Sequence, residues 1–192
     1  KANAQMNSIL GNPDRLRAVA EDFVKHYEKR VSEGATVKGK AMFVCSSRPI
    51  AYLLYKEIIA LRPQWAEVKA CEDGATLSDK DRREIKPMER IKMVMTRGQD
   101  DPKELYDLIG SKDNRKELDR QFKNEKSNFK IAIVVDMWLT GFDVPCLDTL
   151  YIDKPIQRHN LIQTISRVNR KYGSKEKGLV VDYIGIKKQM NL

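Results

Sequence analysis

The fold is predicted most directly by residues 131–145, which read IAIVVDMWLTGFDVP. The run is continuously apolar from Ile131 to Val135 and then becomes polar, with a glycine and a proline near its end. A strand buried on both faces of a sheet has this uninterrupted apolar character, whereas a strand with one wet face alternates apolar and polar residues. We therefore interpret the stretch as a buried parallel strand followed by a functional loop.

Apolar runs of the same kind recur on both sides of this strand and are separated by segments with helical periodicity. Further strands are expected at 41–45, 68–71, 91–95, 149–152 and 178–182. Helices are expected at about 13–31, 49–61, 101–110 and 113–124, and residues 72–90 are interpreted as a polar loop or insertion. This alternation of strands and helices predicts an α/β domain with a mainly parallel sheet and helices on both faces.

The composition narrows the class of protein. The 192 residues suffice for one α/β domain, and 36 Lys and Arg against 27 Asp and Glu give a formal charge of +9, which favours a polyanionic partner such as nucleic acid. The 3 cysteines have no metal-ligand spacing, so no metal site is predicted and a reducing, cytoplasmic setting is expected. No apolar stretch approaches the roughly 20 residues that span a bilayer, so no membrane partner is expected. A first residue that is Lys rather than Met suggests a piece of a longer protein.

A second informative stretch is residues 160–170, which read NLIQTISRVNR. Gln163, Arg167 and Arg170 occupy positions i, i+4 and i+7, which lie on one face of a helix, while the apolar residues of the stretch lie roughly opposite. A phosphate group facing this helix would meet the glutamine and both guanidinium groups. Arginines on the polar face of an amphipathic helix are often only solvated, and for this pair alone that alternative stays open.

Residues 34–41, which read GATVKGKA, approximate the phosphate-binding loop of nucleotidases but do not match it. That loop requires a strand before it, a helix after it and a final Ser or Thr. Here a helix precedes, a strand follows, and the last position is Ala41. An Asp-Glu pair after a strand is also missing, since Asp136 precedes Met137. The sequence therefore predicts that the metal-binding half of an ATP site is absent.

Residues 134–145 and 163–170 together closely resemble motifs V and VI of superfamily 2 helicases and translocases, and in detail the motor subunit of type I restriction enzymes. Residues 42–48 stand where motif IV of that family lies, so the resemblance covers about residues 40–185. It implies a RecA-like, three-layer α/β/α domain at 40–192, the second motor domain of its parent. Residues 1–39 are expected to form an N-terminal helix and linker packed on that domain. Thr140 and Val135 depart from the family's usual arginine and threonine.

In such motors ATP lies between two RecA-like domains, and the first supplies the phosphate loop and the carboxylate that holds Mg²⁺. The resemblance implies that this chain supplies an arginine finger, with Arg170 as the first choice and Arg167 as the second. It also implies that Gln163 approaches the nucleotide phosphates and that Gly141 and Asp143 bind the nucleotide, Asp143 through a ribose hydroxyl. The alternative for residues 141–145 is a plain strand-exit turn.

Four residues are expected at the carboxyl ends of strands, where open α/β sheets place their ligand-binding loops. They are Ser46, Ser47, Arg48 and Thr140. Each could donate a hydrogen bond to a DNA phosphate and so position a duplex without reading its sequence. The two serines could equally cap the helix that begins near Pro49.

The resemblance thus implies the second motor domain of an ATP-dependent double-stranded DNA translocase, within the R subunit of a type I restriction-modification enzyme. The implied partners are double-stranded DNA, the first RecA-like domain of the same parent, and methyltransferase and specificity subunits. ATP and Mg²⁺ are implied for the parent, whose nuclease core lies elsewhere, and the chain alone is not expected to hydrolyse ATP. Two alternatives stay open: another superfamily 2 helicase or remodeller, and a non-catalytic nucleic-acid-binding α/β module.

Overall fold

The computed structural model describes residues 2–34, 39–72, 75–139, 146–156, 178–184 and 188–191. The helices are α1 (Ala2–Leu10), α2 (Pro13–Ser32), α3 (Arg48–Leu61), α4 (Asp79–Glu84), α5 (Lys103–Ile109) and α6 (Lys112–Lys123), with a 3₁₀ helix at Pro63–Ala66. The strands are β1 (Lys40–Cys45), β2 (Ile91–Val94), β3 (Ile131–Val134), β4 (Leu147–Asp153), β5 (Leu179–Asp182) and β6 (Lys188–Asn191). Within the described ranges no helix is both long and apolar enough to cross a membrane.

The six strands of the described residues form one sheet in the order β2-β3-β1-β4-β5-β6. All pairings from β2 to β5 are parallel, and β6 pairs antiparallel with β5 at the edge. The mainly parallel sheet is therefore as predicted, whereas β6 and helix α1 were not predicted from the sequence. Because β1 to β5 run in one direction, the loops that follow them all leave from the same edge, here called the carboxyl edge.

Every residue of β1 is buried, as expected for a central strand covered on both faces. Alternate residues point to opposite faces. Phe43 and Cys45 join a core built with α2, α3 and α5, while Met42 and Val44 join a second core built with α6. The sheet is thus the middle of three layers, as predicted.

Helix α2 begins where the sequence places it. The side chain of Asn12 accepts hydrogen bonds from the backbone N–H groups of Asp14 (2.9 Å) and Arg15 (3.2 Å), and Pro13 occupies the first turn. The buried residues of the helix follow the predicted helical spacing, and Phe23 packs edge-on against Phe43 of β1. Helix α2, which lies within the 1–39 segment that the sequence predicts to pack on the domain, shares a core with the sheet.

The prediction of a strand at 68–71 was wrong. Only Lys69 forms an isolated bridge, to Met88, and Val68 is 62% exposed. Short apolar runs carry little information on whether a strand finds a place in the sheet. The following polar stretch contains α4, which begins with reciprocal hydrogen bonds between Ser78 and Asp81.

Lys40, the lysine of the stretch 34–41 that approximates a phosphate loop, is a fully buried residue of β1. Its Nζ donates to the carbonyl oxygens of Phe129 and Gln121, the latter at 3.2 Å, and lies 5.3 Å from the ring centroid of Phe122. Burial lowers the pKa of this amine well below its ordinary value. Lys40 therefore serves the core and has no access to a phosphate group.

Candidate functional site

The carboxyl edge brings together three segments that are distant in sequence. Ser46, Ser47 and Arg48 follow β1, and the register places Cys45 beside Asp153 at the end of β4. On the other side of β1, Val44 pairs with Val134 at the end of β3. The residues predicted to contact DNA after β1 therefore lie between the exits of β3 and β4.

Ser47 caps helix α3. Its Oγ accepts the backbone N–H of Ile50 at 3.3 Å, and its extended backbone (φ −153°, ψ 162°) is typical of an N-cap residue. The capping role that the sequence left open is thus confirmed for Ser47. The hydroxyl proton is not used in this contact, so the cap leaves Ser47 able to donate to a ligand at the edge.

Two buried polar atoms near the end of β1 have no hydrogen-bond partner among the described residues. They are the hydroxyl oxygen of Ser46 and the Nε of Arg48. Leaving a buried donor unsatisfied costs about 1–3 kcal/mol. Both groups are hydrogen-bond donors, and both lie at the edge where contacts to DNA phosphates are expected.

The rest of the Arg48 guanidinium is held by Asp101. Nη1 donates to Asp101 Oδ1 at 2.8 Å, Nη2 donates to Oδ2, and Nη2 also reaches the carbonyl of Thr96 at 2.9 Å. Hydrogen bonding to Arg48 lowers the pKa of Asp101, and the same pair raises the pKa of Arg48. This bidentate pair ties the end of β1 to the loop after β2.

Asp101 was missed as a site residue because Asp101-Pro102 was interpreted only as the start of a helix. The carboxylate also accepts the backbone N–H of Gly98 at 2.6 Å, closing the loop on itself. An added Cβ at Gly98 would lie 3.0 Å from Arg48 Nη1 and from Asp101 Oδ1. The signal available in the sequence was a glycine, Gly98, three residues before an aspartate, a spacing that suits a turn closed by a carboxylate.

A model of the family described as type I restriction enzyme subunit R domain 3 matches residues 37–185. The chain belongs to this family. The predicted resemblance to the R subunit of type I restriction enzymes is therefore confirmed. Helices α1 and α2 precede the region that the domain 3 family model matches.

Two relatives are much longer than this chain. The endonuclease subunit of the type I restriction enzyme HindI from Haemophilus influenzae is 43% identical over 185 residues, which are 95% of this chain and 16% of that protein. A protein of Methanocaldococcus jannaschii, assigned as the endonuclease subunit of the type I restriction enzyme MjaIXP, is 37% identical over 183 residues, 95% of this chain and 15% of that protein. The chain thus spans a small part of either relative.

Two solved structures share the fold at low sequence identity. A fragment assigned to the HsdR subunit of a type I restriction enzyme from Vibrio vulnificus superposes with a TM-score of 0.61 and 12% identity, over 94% of this chain and 28% of that chain. UvsW of T4 superposes with a TM-score of 0.53 and 17% identity, over 94% of this chain and 27% of that chain. The RecA-like fold predicted for domain 3 is confirmed.

The predicted nucleotide-site residues, and Thr140 of the predicted DNA contacts, lie outside the described residues. Thr140, Gly141 and Asp143 fall between Leu139 and Cys146, and Gln163, Arg167 and Arg170 fall between Ile156 and Gly178. The flanking residues Leu139 and Ile156 both pack against the core that contains α6. Leu139 and Ile156 therefore both lie on the α6 side of the sheet.

The exits of β3 and β4 are joined by Lys154. Its Nζ donates to Asp136 Oδ1 at 2.8 Å and to the carbonyl of Val135 at 3.0 Å. In the same loop Trp138 has a positive φ of 67° and stacks on Phe122, with ring centroids 5.4 Å apart. Such a backbone conformation in a bulky residue costs about 1–3 kcal/mol and is concentrated at functional sites. It supports the interpretation of the loop after β3 as functional.

Helix α2 contacts the same edge through Arg15. Its guanidinium pairs with both carboxylate oxygens of Asp153, which is fully buried, and donates to the carbonyl of Tyr183 at 3.1 Å. The hydroxyl of Tyr183 in turn donates to Asp22 of α2 at 2.7 Å, and burial raises the pKa of this tyrosine. These contacts attach α2 to the carboxyl ends of β4 and β5.

Proposed function

We propose that this chain is the second motor domain of an ATP-dependent double-stranded DNA translocase, part of the R subunit of a type I restriction enzyme. The observation that carries the proposal is the composition of the carboxyl edge, where the unsatisfied Ser46 hydroxyl and Arg48 Nε lie between the exits of β3 and β4. Membership of the R subunit domain 3 family supports the same assignment.

In this proposal the DNA backbone is bound by Ser46, Ser47, Arg48 and Thr140. Ser46 would donate its hydroxyl to a phosphate oxygen, and the Nε of Arg48 would approach the same anion. Because Asp101 already binds both Nη groups, the main role of Arg48 is to connect the residues after β1 to the loop after β2. The paired guanidinium adds little net positive charge to the edge. Contacts to phosphates without base readout suit movement along DNA of any sequence.

The nucleotide would be contacted by the segments that leave β3 and β4. Arg170 is proposed as the arginine finger and Arg167 as its alternate, with Gln163, Gly141 and Asp143 binding the nucleotide. A guanidinium stabilises the negative charge that develops on the transferring phosphoryl group, because its own charge is permanent and its planar fork matches phosphate oxygens. ATP hydrolysis would then require the first motor domain.

The remaining partners are proposals of the same kind. Within the described part of the chain no group of three or more His, Cys, Asp or Glu side chains is placed to hold a metal ion. In the parent protein, the first motor domain would hold Mg²⁺. The chain covers only 16% and 15% of the two relatives, so a full-length R subunit would have room for that domain and for a nuclease core. The methyltransferase and specificity subunits would assemble with the whole R subunit.

The test is DNA-stimulated ATP hydrolysis by the full-length R subunit carrying Arg170→Ala. Loss of an arginine finger lowers the hydrolysis rate by roughly 10³ to 10⁵, and DNA binding should persist. Arg83→Ala, which removes an exposed arginine from α4, is the matched control and should hydrolyse ATP normally. Unchanged hydrolysis in the Arg170 variant would move the finger to Arg167. Reduced DNA affinity with a reduced salt dependence would instead favour a nucleic-acid-binding module.

A further inference from the structure

The loop after β2 carries an arginine that the proposed site does not use. The guanidinium carbon of Arg97 lies 3.9 Å from the ring centroid of Tyr106 in α5, and its Nε donates to the Tyr106 carbonyl at 2.9 Å. Among the described residues no carboxylate forms an ion pair with Arg97. The side chain is thus oriented by a ring and a carbonyl, neither of which neutralises its charge.

The conformation of the loop that carries Arg97, residues 96–101, is fixed by hydrogen bonds. Asp101 binds Gly98 N–H and the guanidinium of Arg48, and Arg48 binds the carbonyl of Thr96. The loop 96–101 is therefore fastened at both ends to the residues that follow β1. A loop fixed in this way presents Arg97 with little further loss of conformational freedom on binding.

The position of β2 favours a long polyanion over a nucleotide. β2 lies at the edge of the sheet, and β3 separates it from β1. Two strand spacings amount to about 10 Å, whereas DNA carries one charge per roughly 3.4 Å of each strand. A DNA backbone can therefore reach Ser46 and Arg97 together. The proposed nucleotide residues, by contrast, follow β3 and β4 in the sequence.

We propose that Arg97 is a further DNA-backbone contact, oriented by Tyr106 and supported by the loop that Asp101 closes. The inference rests on the proposed DNA-binding function and deepens it, because it adds a phosphate contact in the loop after β2. Tyr106 is 40% exposed and supports the guanidinium without burying it. Arg97 would supply a full positive charge at the edge, which the paired Arg48 cannot.

The experiment compares DNA binding by full-length R subunits with wild-type sequence, Arg97→Gln and Arg83→Gln across a range of salt concentrations. Arg97→Gln should weaken binding roughly threefold to tenfold and lower the slope of log K against log salt by about one. Arg83→Gln makes the same charge change on α4 and should leave the slope unchanged. Arg97→Lys keeps the charge and should restore the slope, and Tyr106→Phe, which keeps the ring and the carbonyl, should bind normally.

Three results would overturn the inference. An unchanged salt slope in Arg97→Gln, with lowered thermal stability, would show that Arg97 only links the loop to α5. An increased KM for ATP with normal DNA binding would assign Arg97 to a nucleotide phosphate. If the slope of log K against log salt fell as much in Arg97→Lys as in Arg97→Gln, the charge of residue 97 would be excluded as the cause. If the wild-type subunit itself showed no salt-dependent DNA binding, the proposed function would fail first, and the inference with it.

Discussion

Asp101 shows how a single carboxylate can organise several parts of the carboxyl edge. It receives two guanidinium hydrogen bonds from Arg48 and one backbone N–H from Gly98, and its side chain is only 7% exposed. An ionised carboxylate accepts such bonds better than a neutral one, which is why its pKa is lowered. The same residue connects two loops that the sequence places 53 positions apart.

The lowered pKa of Asp101 predicts how stability depends on acid. In the unfolded chain an aspartate is half protonated at about pH 4. The folded chain takes up this proton only at lower pH, so stability from this group is full above about pH 4 and is lost as pH falls through the lowered folded pKa. Urea unfolding of the 192-residue chain at pH 7, 4 and 3 should show a steeper decline for wild type than for Asp101→Asn.

Asp100→Asn is the control for this prediction, because Asp100 is an exposed neighbour in the same loop. Its stability should follow the wild-type dependence on pH. A parallel decline in wild type and Asp101→Asn would mean that the Asp101 carboxylate contributes nothing to the acid sensitivity of the fold.

At the scale of elements, helix boundaries follow local side-chain chemistry closely. Ser47, Ser78 and Ser111 each accept a backbone N–H at the start of their helices, and Gly110 ends α5 with a φ of 79°. Strands are harder to predict from the sequence, because a strand also needs a neighbouring strand to pair with. The run at 68–71 has apolar residues but forms only one bridge. Element type is thus set locally for helices and partly by tertiary pairing for strands.

Helix α2 provides a direct test of local capping. Asn12→Ala removes the acceptor for two backbone N–H groups of the first turn and should destabilise the helix start by about 1 kcal/mol. Amide hydrogen exchange of Asp14 and Arg15 should accelerate by roughly fivefold. Asn12→Asp keeps an acceptor and should exchange like wild type. Equal rates in wild type and Asn12→Ala would show that the packing of α2 alone maintains its first turn.

At the scale of the whole molecule, the pair Arg15–Asp153 connects α2 to the sheet through a buried carboxylate. Asp153 is fully buried, so removing its partner leaves an uncompensated charge in the interior. Such a loss costs about 3–5 kcal/mol, far more than an exposed ion pair contributes. The pair therefore matters to the attachment of the N-terminal segment to the carboxyl edge.

Arg15→Met should lower the free energy of unfolding of the chain by about 3 kcal/mol or more, measured by urea denaturation. Arg17→Met is the matched control on the same helix. Arg17 is 58% exposed and lies 3.8 Å from its nearest carboxylate on α3, so its replacement should change stability by less than about 0.5 kcal/mol. Combining Arg15→Met with Asp153→Asn should recover part of the loss. Equal effects of the two methionine variants would contradict a buried ion pair.

The sequence by itself determined the α/β class, the main helices and strands, and the family. The physical reason is that hydrophobic periodicity and capping are local, and that residues 131–145 and 163–170 carry family-specific chemistry. It also placed residues 46–48 at the carboxyl edge, because every parallel strand ends there. The roles of Arg170, Arg167, Gln163, Gly141 and Asp143 remain predictions.

Only the tertiary structure decided which charged groups meet. Arg48 pairs with Asp101, Arg15 with Asp153, and the amine of Lys40 with buried carbonyl groups, over separations of 53, 138 and more than 80 positions. These contacts depend on the strand order β2-β3-β1-β4-β5-β6, which no local pattern encodes. From the sequence alone, an arginine is known only to carry a positive charge. Whether it holds the fold, as Arg48 and Arg15 do, or offers its charge to a ligand, as proposed for Arg97, is set by the partners that folding brings to it.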